Sequence, residues 1–282
     1  MTPVLKYAGG KRKELPHFLH YVPDKFNRYV EPFFGGGALY FYLEPKEDII
    51  NDLNCKLMTF YRQLKEQFPI MRRQLDELQE IYEKNQCDYQ AKVNSFSDKK
   101  ILNDNETLYY KMRELFNRHN QSELDGYLAS VVYFFVNKTA YSGLTRYNSR
   151  GDYNVPFGRY KNFNSKIITE QHSELLQRAE LFNTDYEEIF DMLKEDDFVF
   201  LDPPYDCVFT DYGNDSFDEK QQRRLANNFR NLPCRALMII GKTPLTVELY
   251  DEFVVGEYHK NYAVNIKNRF KNNKTHLVIK NY

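Results

Sequence analysis

Asp202-Pro203-Pro204-Tyr205 is the stretch best equipped for chemistry. Within four residues it offers a carboxylate, a proline carbonyl on a stiff backbone and an aromatic plate. Together these can hold a planar base by its amino group and by its π-face. A turn in which Asp202 merely caps a helix is the plainer alternative. Glu31-Pro32-Phe33-Phe34-Gly35-Gly36-Gly37 sets an acid just before a glycine turn, and glycines let a backbone come close to a ligand. Lys6-Tyr7-Ala8-Gly9-Gly10-Lys11 is a tight basic turn. It could approach a ligand carboxylate with Lys11 as counter-charge, although basic surface turns are common. Asp52 follows a short apolar run and is placed to bind ribose hydroxyls; Asn51-Asp52 could also cap the next helix. Asp185 could accept from an adenine amine while Tyr186 packs beside the ring, or it could cap a helix over Tyr186–Leu193.

The elements that must position these groups read as α/β alternation. Phe198–Leu201 is a short apolar run, hence a buried strand. Pro203 and Pro204 cannot donate to a ladder, so pairing stops there. Asp202 and Tyr205 are therefore delivered at the strand's carboxyl end, the edge where open α/β sheets bind ligands. Arg28–Phe33, the glycine turn and a helix through Leu43 form a strand-turn-helix unit of the nucleotide-binding kind. The turn is not G-x-G-x-x-G, however, and Glu31 disfavours a pyrophosphate. A cationic ligand such as S-adenosylmethionine fits better than NAD. Further strands are expected at Asp48–Asp52, Leu181–Tyr186, Arg235–Gly241, Val254–Val264 and His276–Lys280.

Between Asp52 and Leu181 the alternation is interrupted. The pattern is helical over Leu53–Tyr82 with a break near Pro69, polar and loop-like over Asn85–Asn105, then helical over Asn105–Asn120 and Leu124–Tyr141. The interruption closes with residues 137–161, where aromatic and polar residues alternate about the turn Ser149-Arg150-Gly151-Asp152. This predicts a β-hairpin. From Lys138 to Lys161 it carries five basic residues and one acid. Such an arm suits DNA, with arginines for phosphates and guanines and Leu144 and the aromatics for stacking or wedging. A solvated edge hairpin is the alternative.

A length of 282 residues accommodates one α/β domain with an insertion. The formal net charge of −1 means that nucleic-acid binding must come from a local patch rather than bulk charge. The four cysteines have no metal-ligand spacing, and no apolar run is long enough for a membrane span. Reduced thiols, no metal, no membrane partner and a cytoplasmic setting are expected.

The Lys6–Lys11 turn, the Glu31–Gly37 loop and Asp202–Tyr205, in that order around an insertion, resemble the motifs of alpha-class adenine-specific DNA methyltransferases. Gly143–Asn148 and Asn154–Tyr160 are similar to the arm of the Dam-type subgroup, which reads GATC. Tyr7 stands where the family often has Trp, and Tyr82–Glu106 matches nothing in it. The resemblance implies a Rossmann-like class I methyltransferase sheet. Residues 1–56 and 171–282 would form the catalytic domain, and 57–170 an inserted, mostly helical target-recognition domain bearing the hairpin. It implies S-adenosylmethionine as donor, contacted by Tyr7, Ala8, Gly9, Lys11, Glu31, Pro32, Phe33, Gly35, Gly37, Asp52, Asp185, Tyr186 and Asp202. The product would be S-adenosylhomocysteine. Asp202, Pro203 and Tyr205 would hold a flipped adenine. Lys6, Tyr141, Leu144, Arg146, Asn148, Pro156, Arg159 and Tyr160 would meet double-stranded DNA. A monomer in a bacterial, phage or viral host is expected, with a cognate restriction endonuclease as a partner that need not touch it. Methylation of RNA adenine or protein glutamine, or a non-catalytic DNA-binding role, are the competing readings.

Overall fold

Seven short strands form one mixed sheet: β1 (Tyr29–Glu31), β2 (Asp48–Asn51), β3 (Ala179–Phe182), β4 (Phe198–Leu201), β5 (Arg235–Gly241), β6 (Val254–Asn261) and β7 (Asn273–Lys280). Their spatial order is β3-β2-β1-β4-β5-β7-β6. The pairs from β3 to β5 are parallel, and β7 runs antiparallel to both β5 and β6. The computed structural model describes residues 1–7, 9–95, 101–118, 123–204, 217–261 and 273–282. They divide into two compact units, Lys11–Leu53 with Ala179–Tyr282, and Met1–Gly10 with Asn54–Arg178.

The sheet lies wholly in the first unit, and β4 shows why it is buried on both faces. Side chains alternate across a strand. Val199 and Leu201 join a core with Leu225, Ala226 and Phe229 of the helix Glu219–Arg230. Phe198 and Phe200 point the other way, where Phe26 and Phe18 meet them at ring-centroid distances of 5.4 and 5.6 Å. A strand covered on both sides has no polar face, hence the unbroken apolar run. At its amino end Asp197 is fully buried and takes Arg28 on both oxygens, at 3.0 and 2.7 Å. This ion pair sits one residue before the register partners Tyr29 and Phe198 and fixes β1 against β4.

The second unit is mainly helical: Cys55–Glu66, Phe68–Ser95, Asp104–Asn117, Ala129–Thr139 and Glu170–Gln177. Ala129–Thr139 buries Val131, Val132, Phe134, Phe135 and Val136, and a helix apolar on most sides belongs in a core. Two expectations are corrected here. The polar stretch after Asn85 is no loop as far as Ser95. It continues the helix, since it lacks Pro and Gly, and Asn105 donates to the Tyr82 carbonyl at 2.9 Å and receives Asn85 at 3.1 Å. The helix expected from Leu124 begins at Ala129. Asp125-Gly126, both at positive φ, make a tight turn between Glu123–Leu124 and Tyr127–Leu128, a hairpin signal present in the sequence.

The arm at 137–161 also differs from a regular hairpin. Residues 137–139 still belong to the preceding helix, and the arms meet only at the isolated bridges Ala140–Phe157 and Tyr147–Tyr153. The physical reason lies in the helix Asp104–Asn117. Tyr109 donates to the Val155 carbonyl at 2.8 Å and Arg113 to the same oxygen at 3.0 Å; Asn117 pairs with both backbone groups of Tyr153. The return arm thus alternates: the backbones of Asp152, Asn154, Pro156 and Gly158 pair with those of Asn148, Arg146, Tyr141 and Thr139, while Tyr153 and Val155 are taken by side chains of one helix face. Among the described residues no helix is long and apolar enough to cross a membrane.

Removing one partner of a buried ion pair costs about 3–5 kcal/mol, because the other charge stays buried. Arg28→Met should fall near 3 kcal/mol, the low end of that range, since the Lys194 amide still donates to Asp197 at 2.8 Å. Urea unfolding measures this, and an unchanged midpoint would remove the pair from the account of how β1 and β4 are held.

Candidate functional site

The strand order reverses between β1 and β4, with β2 and β3 on one side and β5 on the other. Ligands of open α/β sheets bind at the carboxyl ends on either side of such a switch point. Here β1 ends at Glu31 and β4 runs into Asp202. The Lys11 ammonium donates to both carboxylate oxygens of Asp202, at 2.7 and 2.8 Å. Lys11 is only 2 % exposed. Lys11, expected as the counter-charge of a ligand carboxylate, holds the Asp202 carboxylate in this structure.

Glu31 is buried and accepts from the Tyr29 hydroxyl at 2.8 Å. Burial pushes its carboxyl well above the usual range, and the charges of Asp202, Asp52 and Asp48 push it further, against the lowering effect of the Tyr29 hydrogen bond. Three acids thus crowd the ends of β1, β2 and β4, with Lys11 on one of them. Such a site favours a cation and lends little support to a phosphate.

The loops are held by polar side chains, some of them expected as ligand contacts and others not. Asn51 donates to the carbonyls of Pro32 and Thr184 at 3.0 Å each and accepts from the Thr184 amide at 2.9 Å. One amide therefore ties the loop after β1 to the loop after β3. Asp52 receives the Gly35 amide at 2.8 Å, so its carboxylate braces the glycine turn. The helix-cap alternative for Asn51-Asp52 falls to Asn54, whose side chain caps Cys55–Glu66. Gly37 lies at φ +62°, and a Cβ there would stand 2.6 Å from Cζ of the Phe34 ring. Asp185 caps the helix Tyr186–Phe190 through the Glu187 amide and is gripped on both oxygens by Arg224, at 2.9 and 3.1 Å. The Arg224 guanidinium also lies over the Tyr186 ring, 5.0 Å from its centroid. Tyr186, Phe33 and Phe217 form an aromatic group with centroids 5.2–6.4 Å apart. Arg224 and Phe217 carried no motif, and only their neighbours in space reveal them. Ala8 and Tyr205 lie outside the described residues.

Tyr7 and Gly9 belong to the helical unit, where the Gly10 amide closes a turn onto the Tyr7 carbonyl at 3.1 Å and Gly9 takes φ +81°. In the same unit Lys6 and Asn137 exchange two hydrogen bonds, at 2.9 and 2.7 Å. The Lys6 ammonium donates to the Lys138 carbonyl at 3.0 Å and sits 4.1 Å from the Tyr160 ring centroid. Burial lowers the Lys6 ammonium, and burial and then Lys6 bring Lys138 down to about 8. Tyr141, Leu144, Arg146, Pro156 and Arg159 are exposed. Arg146 is oriented by Asn154, whose side-chain oxygen and carbonyl it meets at 2.7 and 2.9 Å. Asn148 serves the turn: its side chain accepts from the amides of Arg150 and Asp152, each at 2.9 Å. Tyr160 accepts from the Ser142 amide at 3.1 Å. Among the described residues no cluster of His, Cys, Asp and Glu is arranged to hold a metal ion.

Residues 7–266 match the family described as D12 class N6 adenine-specific DNA methyltransferase. The chain is 34% identical over 289 residues to the type II methyltransferase M.CviBI of Paramecium bursaria Chlorella virus NC1A, covering all of both chains. It is 31% identical over 295 residues to the type II methyltransferase M1.LlaDCHI of Lactococcus lactis subsp. cremoris, covering all of this chain and 96% of the other. With the DNA adenine methylase of Salmonella typhi it shares 28% identity over 262 residues, covering 91% of this chain and 83% of the other.

The glycine loop yields a prediction independent of any ligand. A side chain at φ +62° costs about 1–2 kcal/mol in backbone strain alone. Gly37→Ala adds a collision with the buried Phe34 ring, so its loss of stability in thermal or urea unfolding should be at least that large. Wild-type stability would mean that the loop relaxes freely.

Proposed function

The chain belongs to the D12 class N6 adenine-specific DNA methyltransferase family, and we propose that it methylates the 6-amino group of a flipped adenine in duplex DNA, within GATC. Family membership implies S-adenosylmethionine as the donor. The observation that carries the catalytic reading is Asp202, held by buried Lys11 at the carboxyl end of β4. The acids at the ends of β1, β2 and β4 and the glycine turn braced by Asp52 fit a cationic, adenine-bearing donor. When bound, that donor supplies a methyl group already activated by its sulfonium.

The adenine amino nitrogen is a poor nucleophile, because its lone pair is delocalised into the ring. It is also out of reach inside a duplex, so the base must be extruded. Asp202 and the Pro203 carbonyl would accept its two N–H groups, localising density on nitrogen and aiming it. Lys11 keeps the carboxylate in one orientation, so little reorganisation is left for the reacting state. Asp202 would also be positioned to accept the proton that the amino group must shed after transfer. Glu31 and Asp52 would face the donor's positive charge and ribose, and Phe33 and Tyr186 its adenine, with Asp185 as acceptor. The arm of the helical unit, with Leu144, Arg146 and Arg159 exposed, would read the site. GATC rests on the arm's likeness to the Dam-type pattern and on the similarity to a relative named DNA adenine methylase. The type II names of other relatives support a restriction–modification setting.

Methyl transfer to oligonucleotides altered singly at each GATC position tests specificity. Each change should slow the reaction about 5- to 150-fold, the equivalent of about 1–3 kcal/mol. Equal rates across the set would refute GATC. In the same assay Asp202→Ala should lose several orders of magnitude while still binding DNA through phosphates; normal turnover would remove Asp202 from the mechanism.

Glu31 supplies a second prediction. In the free protein its carboxyl keeps its proton above the usual carboxylate range. A bound cation favours the carboxylate, so donor binding should release that proton and tighten as pH rises between the bound and free values. Calorimetry in buffers of different ionisation enthalpy reads the proton. Glu31→Gln should bind more weakly and without this pH dependence. Proton uptake by the wild type would reverse the assignment.

A further inference from the structure

The helix Glu219–Arg230 turns a stripe of Leu225, Ala226 and Phe229 toward the sheet. Gln222 lies on the same stripe, three and four residues before Leu225 and Ala226, and is completely buried. Packing alone would place an aliphatic residue there. The Gln222 Nε2 donates to the Pro204 carbonyl at 3.1 Å, while its Oε1 has no partner among the described residues. A buried amide oxygen without a partner is unfavourable. The opposite amide orientation would set two oxygens against each other, so donation to Pro204 fixes the direction of the side chain.

We infer that Gln222 is a positioning residue for the Asp202-Pro203-Pro204 segment, holding the Pro204 carbonyl in the orientation the reaction requires. The rings of Pro203 and Pro204 fix φ at both residues. The peptide bonds are planar, so ψ is the soft torsion left at each. Holding the Pro204 carbonyl fixes the last of these. Among the described residues no strand ladder beyond β4 does so, because the prolines have ended the pairing. Lys11 grips the segment at Asp202 and Gln222 grips it two residues later. The acceptors assigned above, Asp202 and the Pro203 carbonyl, lie at and between these two holds. The inference rests on that assignment.

Three variants in the full-length protein test it, with single-turnover methyl transfer, donor and DNA affinity, and unfolding measured for each. Gln222→Leu fills the same stripe and removes the unpaired oxygen. It should fold at least as stably as the wild type and bind donor and DNA normally. Its transfer rate should fall about 10- to 100-fold, the scale of a small misplacement at a reacting centre. Gln222→Glu keeps the shape but donates only when protonated. Its transfer rate should therefore approach the wild type at low pH and fall through an ionisation that the wild-type profile lacks. Asp202→Ala separates the two readings. If Asp202→Ala is inactive and Gln222→Leu transfers at the wild-type rate, the positioning role is wrong while the catalytic assignment stands. If Asp202→Ala is active, the assignment itself fails. Loss of stability and of both affinities in parallel with rate in Gln222→Leu, with no new ionisation in Gln222→Glu, would show a packing role instead.

Discussion

A buried ammonium on both oxygens of one carboxylate sets the terms for the rest of the site. Taking two charges out of water costs several kcal/mol per ion, on the order of what their attraction returns, so such a pair is weak support for stability as such. Its structural consequence is orientation. Lys11 holds both oxygens of Asp202 at the mouth of the switch point, where the carboxylate keeps access to solvent and the lysine does not. The pair also partly neutralises an acid cluster. Burial raises the Glu31 carboxyl, and the charges of Asp202, Asp52 and Asp48 raise it further. A strand edge carrying this many acids can be tolerated because one is matched by Lys11, another braces the Gly35 amide and Glu31 is disposed to stay neutral.

Around that pair the loops are fixed by side-chain clamps rather than by secondary structure. Parallel strands end abruptly at this edge, and their connecting loops have backbone groups with no ladder to join. Asn51 takes three of those groups from two loops, Asp52 takes one from the glycine turn, and Gln222 takes the Pro204 carbonyl. Arg224 does the same for a charge, occupying Asp185 and Glu187 together while covering the Tyr186 ring. Each clamp holds a group near the site by hydrogen bonds whose donor or acceptor comes from a distant part of the sequence. Rigidity here is thus a property of a few polar side chains, and the apolar core beneath supplies the platform.

This explains what the sequence makes legible. Period and punctuation are local, so the strand Arg235–Gly241 is read to the residue, and the Asp202 strand and the glycine turn are placed correctly. The roles of Asn51, Arg224 and Gln222 are set by pairings across long sequence separations, and no local pattern marks them. Polarity misleads after Asn85, because a solvent-facing helix rich in Gln, Asp, Asn and Lys looks like a loop unless the absence of breakers is weighed. The arm at 137–161 is a different case. Its alternation is real, but the backbones of Tyr153 and Val155 in its return half are taken by Asn117, Tyr109 and Arg113, one face of a helix read only as a helix.

The same arm separates two arginines that look alike in sequence. Arg146 is tethered through Nε and one terminal nitrogen to Asn154, so its fork is stiffened before any partner arrives. Arg159 is 78 % exposed, with the Glu106 carboxylate at 4.0 Å. An exposed pair at that distance contributes little and leaves a long side chain to be ordered on binding. Pairing bidentately with a guanine edge demands a defined plane, whereas a phosphate accepts a charge from many directions. Under the proposed function Arg146 is therefore the better base reader, and Arg159 the better phosphate contact. The distinction lies in Asn154, a residue whose own side chain never needs to meet DNA.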